Sequence, residues 1–155
     1  MVNLNLYRLE LGANRHPALV LEDVLKYNVK PVDSPQTVVS VINSVFRLSN
    51  LTEENVVMLA LDSKGQILGL FRVSQGTINS SFCNAREVFL RALLAGAYGI
   101  IVLHNHPSGF CEPSKNDYEV AKKLEQAGRI VGIELMDFII IGNANYYSFK
   151  EHDFI

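Results

Sequence analysis

The chain has 155 residues, the size of one domain with room for one substantial core. Hydrophobic residues make up 48% and charged residues 19%, which excludes a disordered chain; 14 basic against 16 acidic residues give a net charge of −2, with no bulk attraction for phosphate backbones. Cys83 and Cys111 make no disulfide framework, the N-terminus lacks the order of a signal peptide, and the apolar runs fall far short of the ~20 residues of a membrane span, so a soluble, cytoplasmic protein is expected.

In chain order, Asn3 to Leu11 alternates polar and apolar residues and predicts a strand with one buried face, expected at a sheet edge, where pairing between chains gives a homo-oligomer. A second apolar stretch runs from Val20 to Val29. Ser34 with Pro35 is an N-cap and first helical residue, and Val38, Val41, Ile42, Val45 and Phe46 make the buried stripe of a helix over 35–46. Asn55 to Leu61 and Gln66 to Ser74, joined by Asp62-Ser63-Lys64-Gly65, form a hairpin. Asn84 and Glu87 have capping-box spacing at the start of a helix through Leu94, which Gly96 and Gly99 close. Ile100 to Leu103 reads as a fully buried central strand leading into His104. Ser114 starts a helix to about Ala127, with Gly128 as its left-handed C-cap, and Ile130 to Ile141 and Tyr146 to Phe149 supply the last strands. Hairpins give antiparallel pairs and the helix-strand-helix-strand middle gives crossovers. The expected class is α/β or α+β: one domain with a mixed sheet flanked by helices.

His104 and His106 follow the central strand directly. Residues i and i+2 of an extended segment point to the same side, so both imidazoles converge on one point while Asn105 faces away. Asp117, eleven residues beyond His106 at the start of the next helix, lies within reach of a folded loop. Two His and one carboxylate form an open zinc site whose fourth position takes a water of pKa ~7.

The run His104-x-His106, seven residues, Ser114, two residues, Asp117 resembles the JAMM (MPN-plus) metalloprotease motif. More narrowly, Ala85-Arg86-Glu87-Val88-Phe89, His104-Asn105-His106-Pro107-Ser108-Gly109, Pro113-Ser114, Asp117, Gly132-Ile133 and Ile139-Ile140-Ile141-Gly142 resemble the RadC family over roughly 51–149. The resemblance implies a JAMM-like, deaminase-like α/β sandwich, with 51–155 as the catalytic core and 1–50 as an N-terminal strand and helix region of the same domain. It implies one zinc held by His104, His106 and Asp117, a Glu that polarises the water, and Ser114 at the oxyanion. Glu54 is the preferred base, because Glu54-Asn55-Val56-Val57-Met58-Leu59 matches the acid-then-strand context of the family; Glu53 is its rival on the opposite face. Two positions depart from the RadC pattern. Phe138 stands where relatives usually carry His, and Cys83-Asn84 where many show His-Pro. The helix-hairpin-helix region of longer RadC proteins has no visible counterpart in 1–50.

The activity implied is a zinc metallopeptidase or isopeptidase with a peptide or protein substrate. The alternatives are a DNA-repair-associated or nuclease-like factor, as the family name implies, and a non-catalytic module braced by its metal. The His-rich ligand set and the net charge disfavour the nuclease, whose magnesium sites use oxygen ligands. Each motif also has a plainer reading. Ser114 with Asp117 is a capping box, Glu87 is a capping acid, and Arg86 and Arg91 fit an exposed helix face. Cys111 either approaches the metal or packs as a small hydrophobe. Tyr146 and Tyr147 suit strand packing better than a base-stacking platform.

Overall fold

Asn55–Leu61 (β3) and Gly99–Asn105 (β5) are apolar for most of their length and buried throughout, as strands covered on both faces must be. In the computed structural model, which describes residues 1–28, 32–76 and 83–155, they pair antiparallel at the centre of one seven-stranded sheet. The other strands are β1 (Val2–Leu11), β2 (Pro17–Tyr27), β4 (Ile67–Gln75), β6 (Glu134–Ile141) and β7 (Tyr146–Ser148), in the order β2-β1-β4-β3-β5-β6-β7. β1 runs parallel to β4 and β5 to β6, and the remaining pairs are antiparallel. With α1 (Pro35–Phe46), α2 (Ala85–Leu94) and α3 (Lys115–Val131), the chain is a single α+β domain with a mixed sheet between helices.

The period of two along β3 and β5 sorts the core into two layers. Val56, Met58, Ala60, Ile100 and Val102 pack against Val88, Phe89 and Ala92 of α2 and Ala121 and Leu124 of α3. Val57, Leu59, Leu61, Ile101 and Leu103 pack against Val38, Val41, Ile42 and Phe46 of α1. His104 continues the first row, so it emerges on the face that carries α3. Beyond β7 the chain is tied back by buried Asp137, whose Oδ1 accepts the N–H groups of Phe138 and Lys150 while Oδ2 accepts the Ser148 hydroxyl at 2.6 Å.

Four sequence expectations change. β1 is not an edge: it lies between β2 and β4, and β2 takes the outside position. Alternation marks a strand that is buried on one face but says nothing about which neighbour pairs with it. Along β2 the register shifts opposite Leu6 and Tyr7, and Asp23 Oδ1 accepts the Val24 N–H. Val29, the end of the second apolar stretch, lies outside the described residues.

Gly128 does not end α3. The helix continues to Val131, and Gly132 at φ 77° is its left-handed C-cap. Gly128 is there for space, since a Cβ on it would stand 2.4 Å from the Ile133 carbonyl oxygen. The strand expected from Ile130 therefore begins at Glu134. Nor does Glu87 complete a capping box: Asn84 caps the Arg86 N–H, while Glu87 pairs with Arg86 and Arg91 along α2. Among the described residues no helix is long and apolar enough to cross a membrane.

Candidate metal site

The carboxyl end of β5 and the amino end of α3 meet on one side of the sheet, the place where a parallel strand-helix-strand unit leaves a crevice. His104 and His106 point the same way, with their Nε2 atoms 3.1 Å apart. Asp117 closes the triangle, with Oδ1 3.1 Å from His104 Nε2 and Oδ2 3.4 Å from His106 Nε2. Among the described residues these three form a group that can hold a metal ion, with His104 and Asp117 buried and His106 partly so. Donors at the ~2.0–2.1 Å distances of a tetrahedral zinc stand about 3.3 Å from one another; the Nε2–Nε2 separation and that of Asp117 Oδ1 from His104 Nε2 fit this spacing.

Each ligand is held by its neighbours. His106 Nδ1 lies 2.9 Å from the Phe110 carbonyl oxygen, which can only accept, so Nδ1 carries a proton there. The loop doing this turns at Gly109, at φ 86°, and is fastened to the end of β6: His106 N–H donates to Ile141 O, and Asn143 N–H to Gly109 O. Asp117 sits in a full capping box at the start of α3. Ser114 Oγ accepts the Asp117 N–H, and Asp117 Oδ2 accepts both the N–H and the hydroxyl of Ser114 at 2.7 Å. Capping and ligand placement are thus one arrangement. Phe138 lies against the imidazole of His104, ring centres 5.3 Å apart.

Residues 32–154 match the RadC-like JAB domain family. The chain belongs to the RadC family. Among its relatives, a UPF0758 protein of Halalkalibacterium halodurans is 38% identical over 143 residues, covering 92% of this chain and 58% of the relative. A UPF0758 protein of Rubrobacter xylanophilus is 42% identical over 106 residues, covering 68% of this chain and 46% of that one. One of Methanosarcina acetivorans is 38% identical over 135 residues, 87% and 58% of the two chains. The chain spans about half the length of the curated relatives it matches.

Glu53 and Glu54 stand just before β3. The last β3–β5 pair is Val56 with His104, and Glu54 stands two residues before Val56 as His106 stands two after His104. The Glu54 charge acts on His106 and helps to raise its pKa. Glu53 turns elsewhere, its carboxylate lying beside Gly76. Cys111 lies between the ligands in sequence but is buried with the core residues on the α2 and α3 side, and burial, followed by the charge of Glu112, pushes its thiol pKa up. Tyr147 stacks on His152 at 3.9 Å and packs edge-on to Phe149, as strand packing predicts. Asn105, the Phe110 carbonyl and the Asn143 brace had no sequence signal, because each acts through backbone contacts between distant segments.

The pair of charges is strong. Burial opposes the Asp117 carboxylate, but hydrogen bonds from His104 and His106, the His104 charge and the Ser114 hydroxyl outweigh it and hold its pKa far below the usual range. His106 is raised above 6.5 by its bond to Asp117, against burial and with help from the Phe110 carbonyl and the charges of Asp117 and Glu54. A carboxylate with a depressed folded pKa contributes stability that is lost as pH falls; an imidazole with a raised one contributes stability that is present below pH 6.5 and lost as pH rises through its folded value. The Tm of chelator-treated protein is therefore expected to peak between the carboxylate and imidazole ranges. His106→Gln should flatten the decline on the alkaline side, which thermal scans across pH will read.

Proposed function

We propose that this protein is a zinc-dependent hydrolase of the JAMM type, acting as a peptidase or isopeptidase on a peptide or protein substrate. The observation that supports it best is the group of His104, His106 and Asp117, which can hold a metal ion, with the charge of an acid, Glu54, acting on His106 from the residue before the neighbouring strand. His104, His106 and Asp117 would hold the zinc, which would supply a Lewis acid and make a water acidic enough, at a pKa of ~7, to attack at neutral pH.

The chain supplies the rest. Glu54 takes the proton of the attacking water and passes it to the leaving amine as the C–N bond breaks. Ser114 holds Asp117 at rest, and its side chain, at the exposed rim, gives its hydroxyl to the oxyanion that forms on the carbonyl. The His106 bond to Phe110 keeps the imidazole in the ligand tautomer throughout.

Elemental analysis of tag-free protein tests the foundation. About one zinc per chain is expected in the wild type and less than about a tenth in His104→Ala and Asp117→Ala, since each removes one of three ligands. Zinc-loaded wild type is then expected to cleave members of a quenched-fluorescent peptide library. A wild type that takes up no zinc after reconstitution overturns the reading. Zinc that raises the Tm without any turnover leaves the metal as a structural brace.

A further inference from the structure

Asn105, the residue between the two histidines, is 1% exposed and faces away from them. Its side chain crosses from β5 to the start of β3 and makes two hydrogen bonds there. Oδ1 accepts the Asn55 N–H at 2.8 Å, and Nδ2 donates to the Glu53 carbonyl oxygen at 3.0 Å. Those groups belong to the two peptide units on either side of Glu54. The Glu53 carbonyl also accepts from Asn55 Nδ2 at 3.0 Å, Arg72 donates to Asn55 Oδ1 at 2.6 Å, and the Glu54 carbonyl accepts the Gly76 N–H at 3.0 Å.

We infer that Asn105 is a positioning residue for Glu54, gripping both of its flanking peptides so that its carboxylate is held opposite His106. The inference rests on the reading of Glu54 as the base. The physical reason lies in where Glu54 stands. It precedes β3 and lies beyond the last β3–β5 pair, Val56 with His104, so on the β5 side it is the Asn105 side chain that reaches the backbone at Asn55. One amide offers an acceptor and a donor at the spacing of the two backbone groups, which no apolar or purely accepting side chain reproduces. Strand β5 thereby fixes the metal ligands on one face and the base through its intervening residue. The distance between them is set within a single rigid segment. A misplacement on the order of 1 Å costs a proton transfer about 100-fold, so the grip matters to rate far more than to binding.

The test uses the zinc-loaded chain of 155 residues. Asn105→Leu, close in size and unable to make either bond, is expected to keep one zinc per chain. Amide exchange at Asn55 should rise about tenfold or more, and its crystal structure should show the Glu54 carboxylate displaced from His106. Against the same peptide library, kcat is expected to fall about 100-fold with KM little changed. In a Glu54→Gln background the same substitution should change the rate less than about twofold, as a residue acting through Glu54 must. An equal fold-loss in both backgrounds, or an unmoved Glu54 with Asn55 exchange unchanged, overturns the inference. If Asn105→Leu does not fold, Asn105→Asp, which keeps the acceptor and turns an oxygen toward the Glu53 carbonyl, is read by the same measurements. If wild type cleaves nothing, the hydrolase reading fails by itself, and exchange and the Glu54 position still decide the grip.

Discussion

Zinc-loaded Glu54→Gln is expected to keep its metal and lose hydrolysis by ~10²–10⁴-fold, the range that removal of a general base produces. Gln keeps the length and shape of Glu and leaves the Glu54 carbonyl free to accept the Gly76 N–H as before, so the fold has no reason to change. What it loses is the ability to take a proton. Glu53→Gln is the matched control, because it is the adjacent acid and its carboxylate lies beside Gly76. Rates and metal content measured on the same preparations decide between them. Equal losses in the two variants would place the proton transfer elsewhere.

The site was legible in the sequence to the extent that its parts follow short-range rules. His104 and His106 converge because side chains alternate along a strand, and Asp117 arrives with them because a capping box fixes the third residue of a helix. Strand β3 and helix α1 have the bounds their patterns predict, since apolar runs and Ser34-Pro35 carry the signal locally. Where the reading failed, the deciding contact was remote. Gly128 has the composition of a helix stop, and only the approach of the Ile133 carbonyl reveals it as a place where a helix passes close to the chain beyond it. β1 displays the pattern of a half-buried strand, and only its partners β2 and β4 show it to be interior. Asn105 faces away from the ligands as expected, yet what it faces was unreadable, because the groups it bonds lie 50 and 52 residues earlier.

Phe138→Ala is expected to cost about 3–5 kcal/mol of stability, as large-to-small changes at buried aromatic positions do, and to lower Tm by on the order of 10 °C in a chain of this size. Phe138 is 1% exposed, pairs with Val102 in the sheet, and meets Phe149 edge-on with ring centres 5.2 Å apart. The alanine leaves a cavity that the flanking strands, hydrogen-bonded on both sides of β6, are poorly able to close. The same ring also backs His104, at 5.3 Å and an interplanar angle of 44°. Losing it frees the imidazole to rotate away from Asp117, so zinc affinity should fall with stability even though no ligand is touched. Phe71→Ala separates the two effects: Phe71 is fully buried and stacks on Tyr7 in a different part of the same layer, so it should cost a similar ~3–5 kcal/mol and leave zinc affinity where it was. Urea unfolding of the chelated proteins and competitive zinc titration of the folded ones give the two numbers independently. Equal zinc affinity in both variants would mean that His104 is oriented by Asp117 and the strand alone, and that Phe138 serves only the core.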